Sequence, residues 1–133
     1  MAWEKLNHFS QFIDSNKCHV TVARRVVKKK NGNPGYPQIH FFFNAPLVRE
    51  LEWAGKIYAQ VYIDKSSGQM KFQKTTKNKN ARSCTVTEGK IVFGFTFPGH
   101  PLAPTKAEKV KHVIDQDGCI IIDIPKWITE KWG

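Results

Sequence analysis

Apolar residues in this chain recur mostly at every second position, and the stretches between them are dense in Gly, Pro, Asn and Asp. A period of two marks half-buried strands, and the punctuation marks turns. The clearest case is KIYAQVYID, residues 56–64. Ile57, Ala59, Val61 and Ile63 share one face, while Tyr58, Gln60 and Tyr62 take the other. Residues 64–68 read as a turn, after which Met70 and Phe72 alternate with Lys71 and Gln73 in a returning strand. Upstream, residues 19–30 (HVTVARRVVKKK) begin as a strand at Val20 and Val22, and the pair Val26-Val27 breaks alternation, so a bulge is expected near Arg24-Arg25. The Gly- and Pro-rich residues 31–37 read as a loop. A strand from Gln38 to Phe43 then completes a long hairpin with a basic tip. Residues 84–97 predict two strands around Glu88-Gly89, with Ile91, Phe93, Phe95 and Phe97 as an apolar face. Residues 98–104 read as irregular, and residues 106–114 as a helical turn passing into a strand. Residues 115–118 carry a hairpin signal before the Ile-rich strand at 120–122.

Helical spacing is confined to short segments. Residues 2–13 place Trp3, Leu6, Phe9, Phe12 and Ile13 on one side, as in an amphipathic helix or arm. Residues 45–54 place Leu47, Val48 and Leu51 on one face, with Asn44 as N-cap, Pro46 in the first turn and Gly55 suited to the C′ position. The same grammar returns at the C-terminus. At an offset of 79 residues, Phe41-Phe42-Phe43 lies over Ile120-Ile121-Ile122, Asn44 over Asp123, Pro46 over Pro125 and Trp53 over Trp132. This reads as an internal duplication of units 18–75 and 84–133, joined by a basic linker at 76–83 within one compact domain, 1–133. The alternative is two unrelated strand-to-helix junctions, because Asn/Asp caps and early prolines are common.

Charge changes the picture. Twenty-one Lys and Arg against eleven Asp and Glu give a net charge of +10 in 133 residues. That balance speaks about partners rather than fold: nucleic acid, an acidic protein or an anionic surface. Arg24, Arg25, Lys28, Lys29 and Lys30 cluster on the first hairpin. Lys71, Lys74, Lys77, Lys79 and Arg82 cluster around the linker. Cations held along a surface are what phosphate contacts require, although a lysine-protected edge strand would use the same residues. Asn31, Asn33, Tyr36 and Gln38 could add hydrogen bonds or stacking. A single-strand binder would be favoured by exposure of Tyr36, Tyr58 and Phe72 beside the basic groove.

Other chemistry is thin. The histidines are scattered, and Cys18 and His19, adjacent on a strand, point to opposite faces. Cys18, Cys84 and Cys119 have neither CxxC spacing nor an even count, which argues against a disulfide framework or zinc site and for a reducing cytoplasm. Asp115 and Asp117 fit turn chemistry. No phosphate-binding glycine loop follows a strand, no apolar run reaches membrane-span length, and the N-terminus lacks an apolar segment after a basic start. No enzyme, metal site, cofactor or membrane partner is expected.

The runs IHFFFNAPLVRELEWAGKIYAQVYIDKSSGQMKF and GCIIIDIPKWITEKWG resemble the swapped-hairpin family of bacterial transcription regulators, the AbrB, MraZ and antitoxin class. The second run is the closer, through Gly118, Ile122, Pro125, Lys126, Ile128 and Gly133. The opening loop is longer than the family's, the second unit lacks the closing hairpin, and residues 84–97 have no counterpart. The resemblance implies an intertwined β-core that presents basic residues to duplex DNA, as a homodimer or a monomeric pseudo-dimer. The expectation is therefore a mixed, β-rich (α+β) fold and a small DNA-binding regulator, with duplex preferred over single strands. The second reading is a phage- or mobile-element-type inhibitor or accessory protein whose basic face docks on an acidic host protein.

Overall fold

The computed structural model describes residues 17–27, 35–97 and 99–131. The expected arm at 2–13, Lys28, Lys29, Lys30, most of the loop at 31–37, and Trp132 lie outside the described residues. In chain order the elements are β1 (Val20–Val27), β2 (Tyr36–Phe43), α1 (Ala45–Leu51), β3 (Lys56–Asp64), β4 (Gln69–Thr75), β5 (Arg82–Thr85), β6 (Ile91–Phe95), β7 (Glu108–Val110), β8 (His112–Ile114), β9 (Ile120–Asp123) and α2 (Lys126–Thr129). The mixed β-rich class is what the structure shows, as two antiparallel sheets and two short helices among the described residues.

One sheet runs β6-β2-β1-β7 and the other β5-β3-β4-β9-β8. They face each other across a core of phenylalanines and aliphatics, as alternation dictates. Val20 and Val22 pair with Phe43 and Phe41, which in turn pair with Ile91 and Phe93; all six are buried. From the second sheet, Ile57, Ala59, Met70, Phe72, Ile120 and Ile122 complete the core. Phe72 is its centre. Its ring lies 5.8, 5.5, 5.0 and 6.0 Å from the rings of Phe41, Phe43, Phe93 and Phe95, all on the opposite sheet. Edge-to-face geometry dominates these contacts, the arrangement that ring quadrupoles favour.

Each helix plugs an end of the sandwich. The first spans from the end of β2 to the start of β3 and buries Leu47, Val48 and Leu51. Asn44 caps it: Oδ1 accepts from Leu47 N at 3.2 Å and from His19 N at 2.9 Å, while Nδ2 donates to the Lys17 carbonyl at 2.6 Å. One side chain thus ties the start of β1 to the start of α1. The second helix follows β9 and buries Ile128, with Trp127 Nε1 donating to Glu108 Oε1.

Several expectations are corrected. The β1–β2 register runs unbroken from Val20↔Phe43 to Val27↔Tyr36, so no bulge forms at Arg24-Arg25. The break in alternation reflects the environment beyond Ala23, where the strand leaves the core and its residues become half-buried. The two strands expected around Glu88-Gly89 form, but β5 begins earlier, at Arg82, and they lie in different sheets: β5 joins β3 and β6 joins β2, with the Thr87↔Lys90 turn where the chain passes from one to the other. The left-handed end of α1 falls on Glu52 (φ 59°), not on Gly55, since the helix stops at Leu51. Asp123 does not cap α2. Pro125 occupies that position without a side-chain bond, and Asp123 instead accepts from Gln69 Nε2 at 2.8 Å. The sheets also lack interleaved swapped hairpins. The β1–β2 and β3–β4 pairs stay intact and lie in different sheets.

Asn44 and Asp123, 79 residues apart, close their hairpins by similar bonds, although the acceptor residues do not share that offset. Asn44 N donates to the His19 carbonyl at 3.2 Å, and Asp123 N to the Lys111 carbonyl at 2.9 Å. The likeness stops at the helices, of seven and four residues.

Phe72→Ala is expected to cost about 3–5 kcal/mol, the range for a buried phenylalanine, and Asn44→Ala about 1–2 kcal/mol through loss of the cap. Urea denaturation followed by tryptophan fluorescence measures both. A Phe72→Ala loss below that of Asn44→Ala would contradict the central place of Phe72.

Candidate nucleic-acid interface

The alternation that buries Ile57, Ala59, Met70 and Phe72 sends Lys56, Tyr58, Gln60, Tyr62, Lys71 and Gln73 to the outer face of the five-stranded sheet. Register sets them in rows. Lys71 lies between Tyr62 on β3 and Ile121 on β9, with Val113 on β8 beyond. Gln60 faces Gln73, and Tyr58 sits between Thr75 and Ser83. The Lys71 ammonium is 4.9 Å from the centre of the Tyr62 ring, and that of Lys56 is 5.7 Å from Tyr58. Tyr62 Oη donates to Gln73 Oε1 at 3.3 Å. Tyr62 keeps 46% of its surface exposed and Val113 63%. Both helices insert apolar residues into the core, Leu47, Val48 and Leu51 from the first and Ile128 from the second.

Charge is uneven across this sheet. Residues 56–90 hold eight Lys and Arg against two acidic residues, Asp64 and Glu88. In the β3–β4 turn Asp64 stands next to Lys65, and hydrogen bonds from Ser66 and Ser67 hold its carboxyl below the usual range. The basic end continues into residues 76–81. There Asn78 orders the loop, its Oδ1 accepting from Asn80 N at 2.9 Å and its Nδ2 donating to the Thr76 carbonyl at 3.2 Å, and Lys77 and Lys79 stand exposed.

The other expected cations are dispersed. Lys74 ends β4 on the Phe72 side and is exposed, sharing a shallow cleft with Glu52 and Asp117. Arg82 begins β5, with its guanidinium 4.8 Å from the Phe95 ring. Arg24 and Arg25 lie in the other sheet, on opposite faces of β1. Arg24 Nε donates to the Ala103 carbonyl at 2.5 Å and stacks 5.6 Å from Trp127, while Arg25 donates to the Thr105 carbonyl at 2.7 Å and lies 5.7 Å from Phe42. Both arginines thus fasten the 103–105 segment along β1. Lys28, Lys29 and Lys30 lie outside the described residues. Of the three aromatics proposed for stacking, Tyr36 is 40% exposed, Tyr58 is half-buried and Phe72 is fully buried.

Sequence reasoning named the tyrosines but missed Lys56 and Gln73 as their companions. The period of two already put Lys56 on the tyrosine face, whereas Gln73 needed the β3–β4 register. It also missed the outer face of the four-stranded sheet, where a cleft of about 370 Å³ is lined by Thr21, Arg25, Phe42, Asn44 and Val92 among others. On the same face His40 Nε2 and Gln38 Oε1 are 2.9 Å apart. Both side chains lie over Gly94, where a Cβ would come within 2.8 Å of Gln38 Oε1.

No group of His, Cys, Asp and Glu among the described residues could hold a metal ion, and none of their helices is long and apolar enough to cross a membrane. The cysteines form no disulfide with one another. Burial pushes the Cys84 thiol up to about 11, which keeps it protonated at neutral pH. In comparison with known proteins, no family model matches the chain, and no curated protein or solved structure is significantly similar to it.

Burial lowers the pKa of His40, His100 and His112 from the ordinary 6.5. Arg25 adds to the effect at His40, Arg24 and Lys131 at His100, and His19 at His112. The unfolded chain therefore takes up these protons first as pH falls below 6.5. Their contribution to stability is level above that value, falls below it, and stops falling once the folded chain is also protonated. Neither ring nitrogen of His100 has a hydrogen-bond partner among the described residues. The urea midpoint is expected to be lower at about pH 5 than at about pH 7.5, and His100→Gln to narrow the gap. A gap unchanged in that variant would remove His100 from the account.

Proposed function

We propose that this chain binds nucleic acid without catalysing a reaction on it, and that capture of phosphates supplies most of the affinity. The observation that carries the reading is the concentration of charge in β3, β4, β5 and their connections, residues 56–85, where seven of the twenty-one cations meet only one of the eleven acidic residues. Several of these cations stand on an ordered sheet face and an ordered loop, so a ligand would find them held along a surface. A duplex-binding transcription regulator of the swapped-hairpin kind is one finer form of this reading, and it competes with a single-strand form. It is supported by the motif similarity of residues 39–72 and 118–133 and by the three consecutive lysines that follow β1 in the sequence. The interleaving of hairpins typical of that class lends it no support.

Fluorescence anisotropy with labelled oligonucleotides over a salt series tests the proposal. Affinity is expected to fall log-linearly with salt. Changing Lys56, Lys71, Lys77 and Lys79 together to Gln is expected to flatten the slope by about 0.7–0.9 for each phosphate that is no longer neutralised. Absence of binding to any oligonucleotide at low salt would overturn the reading and redirect attention to an acidic protein partner.

A further inference from the structure

We propose that the outer face of the five-stranded sheet takes a single-stranded nucleic acid, with unpaired bases stacked on Tyr62 and Tyr58. The inference rests on the nucleic-acid reading above and adds the strand type and the residues that select it.

Three observations carry it. The first is the placement of rings and cations. Tyr58 and Tyr62 are two strand repeats apart on one face, roughly 13 Å, which gives each ring room for its own base. Each ring has an ammonium group beside it, Lys56 and Lys71 respectively. A base laid on the open side of such a ring brings its phosphate within reach of a cation already held there. Stacking of this kind is sequence-tolerant because every base has a π-face. Gln60 and Gln73, paired across β3 and β4 between the two rings, supply amide donors and acceptors at base height.

The second is charge complementarity along the face. Asp64, followed by Lys65, and Asp123 stand at one end on either side of Gln69, while Lys77 and Lys79 extend the other with no acidic residue between 65 and 87. A polyanion is therefore directed from Tyr62 past Tyr58 toward the 76–81 loop. The third is the shape of the described elements. A helix that reads the major groove must project into it. Here α1 and α2 have seven and four residues and are anchored in the core. A broad sheet studded with tyrosines suits splayed bases better than the rim of a duplex.

The test compares single-stranded oligo(dT), single-stranded RNA of mixed sequence and a duplex of equal length by anisotropy at fixed salt. The proteins are the wild type, Tyr58→Leu, Tyr62→Leu, the corresponding Phe variants, and the Lys56/Lys71/Lys77/Lys79→Gln variant. Urea midpoints establish that each variant is folded. Single strands are expected to bind more tightly than the duplex. Each Leu variant should weaken single-strand binding by about ten-fold or more, with the salt slope unchanged, and each Phe variant should bind like wild type. The lysine variant should instead flatten the slope. If the Leu variants bind like wild type while the lysine variant does not, stacking is overturned and the phosphate-capture reading stands. A wild type that prefers duplex also overturns the inference. Failure of every oligonucleotide to bind overturns both readings together.

Discussion

The ring of Phe72 holds the two sheets together. It projects from β4 and meets four phenylalanines of the opposite sheet, in contacts that depend on angle as well as distance. Such a cluster fixes how the sheets approach each other, because rotating one sheet would break edge-to-face contacts with several partners at once. Once β4 is held by Phe72, its intervening residues Lys71 and Gln73 must face outward. The register with β3 then sets Tyr62 and Gln60 beside them. The candidate interface is thus the reverse side of the core: one alternation determines both.

Asn44 plays a similar part at one end of the sandwich. It holds the start of β1 and the start of α1 with one amide, and so sets the angle at which the chain leaves one sheet for the other. Arg24 and Arg25 hold the long 99–107 connection against β1 by charged bonds to backbone carbonyls. Two residues that composition alone offers as phosphate contacts therefore have structural partners. Exposed cations lie elsewhere, Lys77 and Lys79 in the loop before β5 among them.

Much of this is legible in the sequence. Strands with clean alternation, such as 56–60 and 69–72, are readable because each places one face in the core and the other away from it, and period two follows directly, whereas at the far end of β3 Ile63 keeps the alternating pattern but is 45% exposed. The cap at Asn44 and the turn at 115–118 are readable because their chemistry is local. What stays hidden is set by long-range pairing. Nothing local shows that the strands flanking Glu88-Gly89 part company to enter different sheets, or that the strand of residues 108–114 switches sheet at Lys111. Arg24-Arg25 imitates a bulge because a strand leaving the core loses its alternation without any change of register. Phe72 looks available for stacking only while the identity of the covered face is unknown. The site residues divide in the same way. Lys71 and Tyr62 become neighbours through the β3–β4 register, whereas Arg24 and Arg25, adjacent in sequence, are sent to opposite faces by the strand they share.

The direct passage of the chain from β7 to β8, and from β5 to β6 through a short turn, has a consequence for how this molecule can be recognised. The strands at the margins of the two sheets are all short: three residues each for β7 and β8, four for β5 and five for β6. Each offers a visiting peptide little backbone to pair with, and such shortness discourages edge-to-edge aggregation. The longer opening lies behind one of them: β5 covers only Lys56–Ala59, so Gln60–Asp64 of β3 keeps an edge on which an extended segment has room to pair, beside the same tyrosine face.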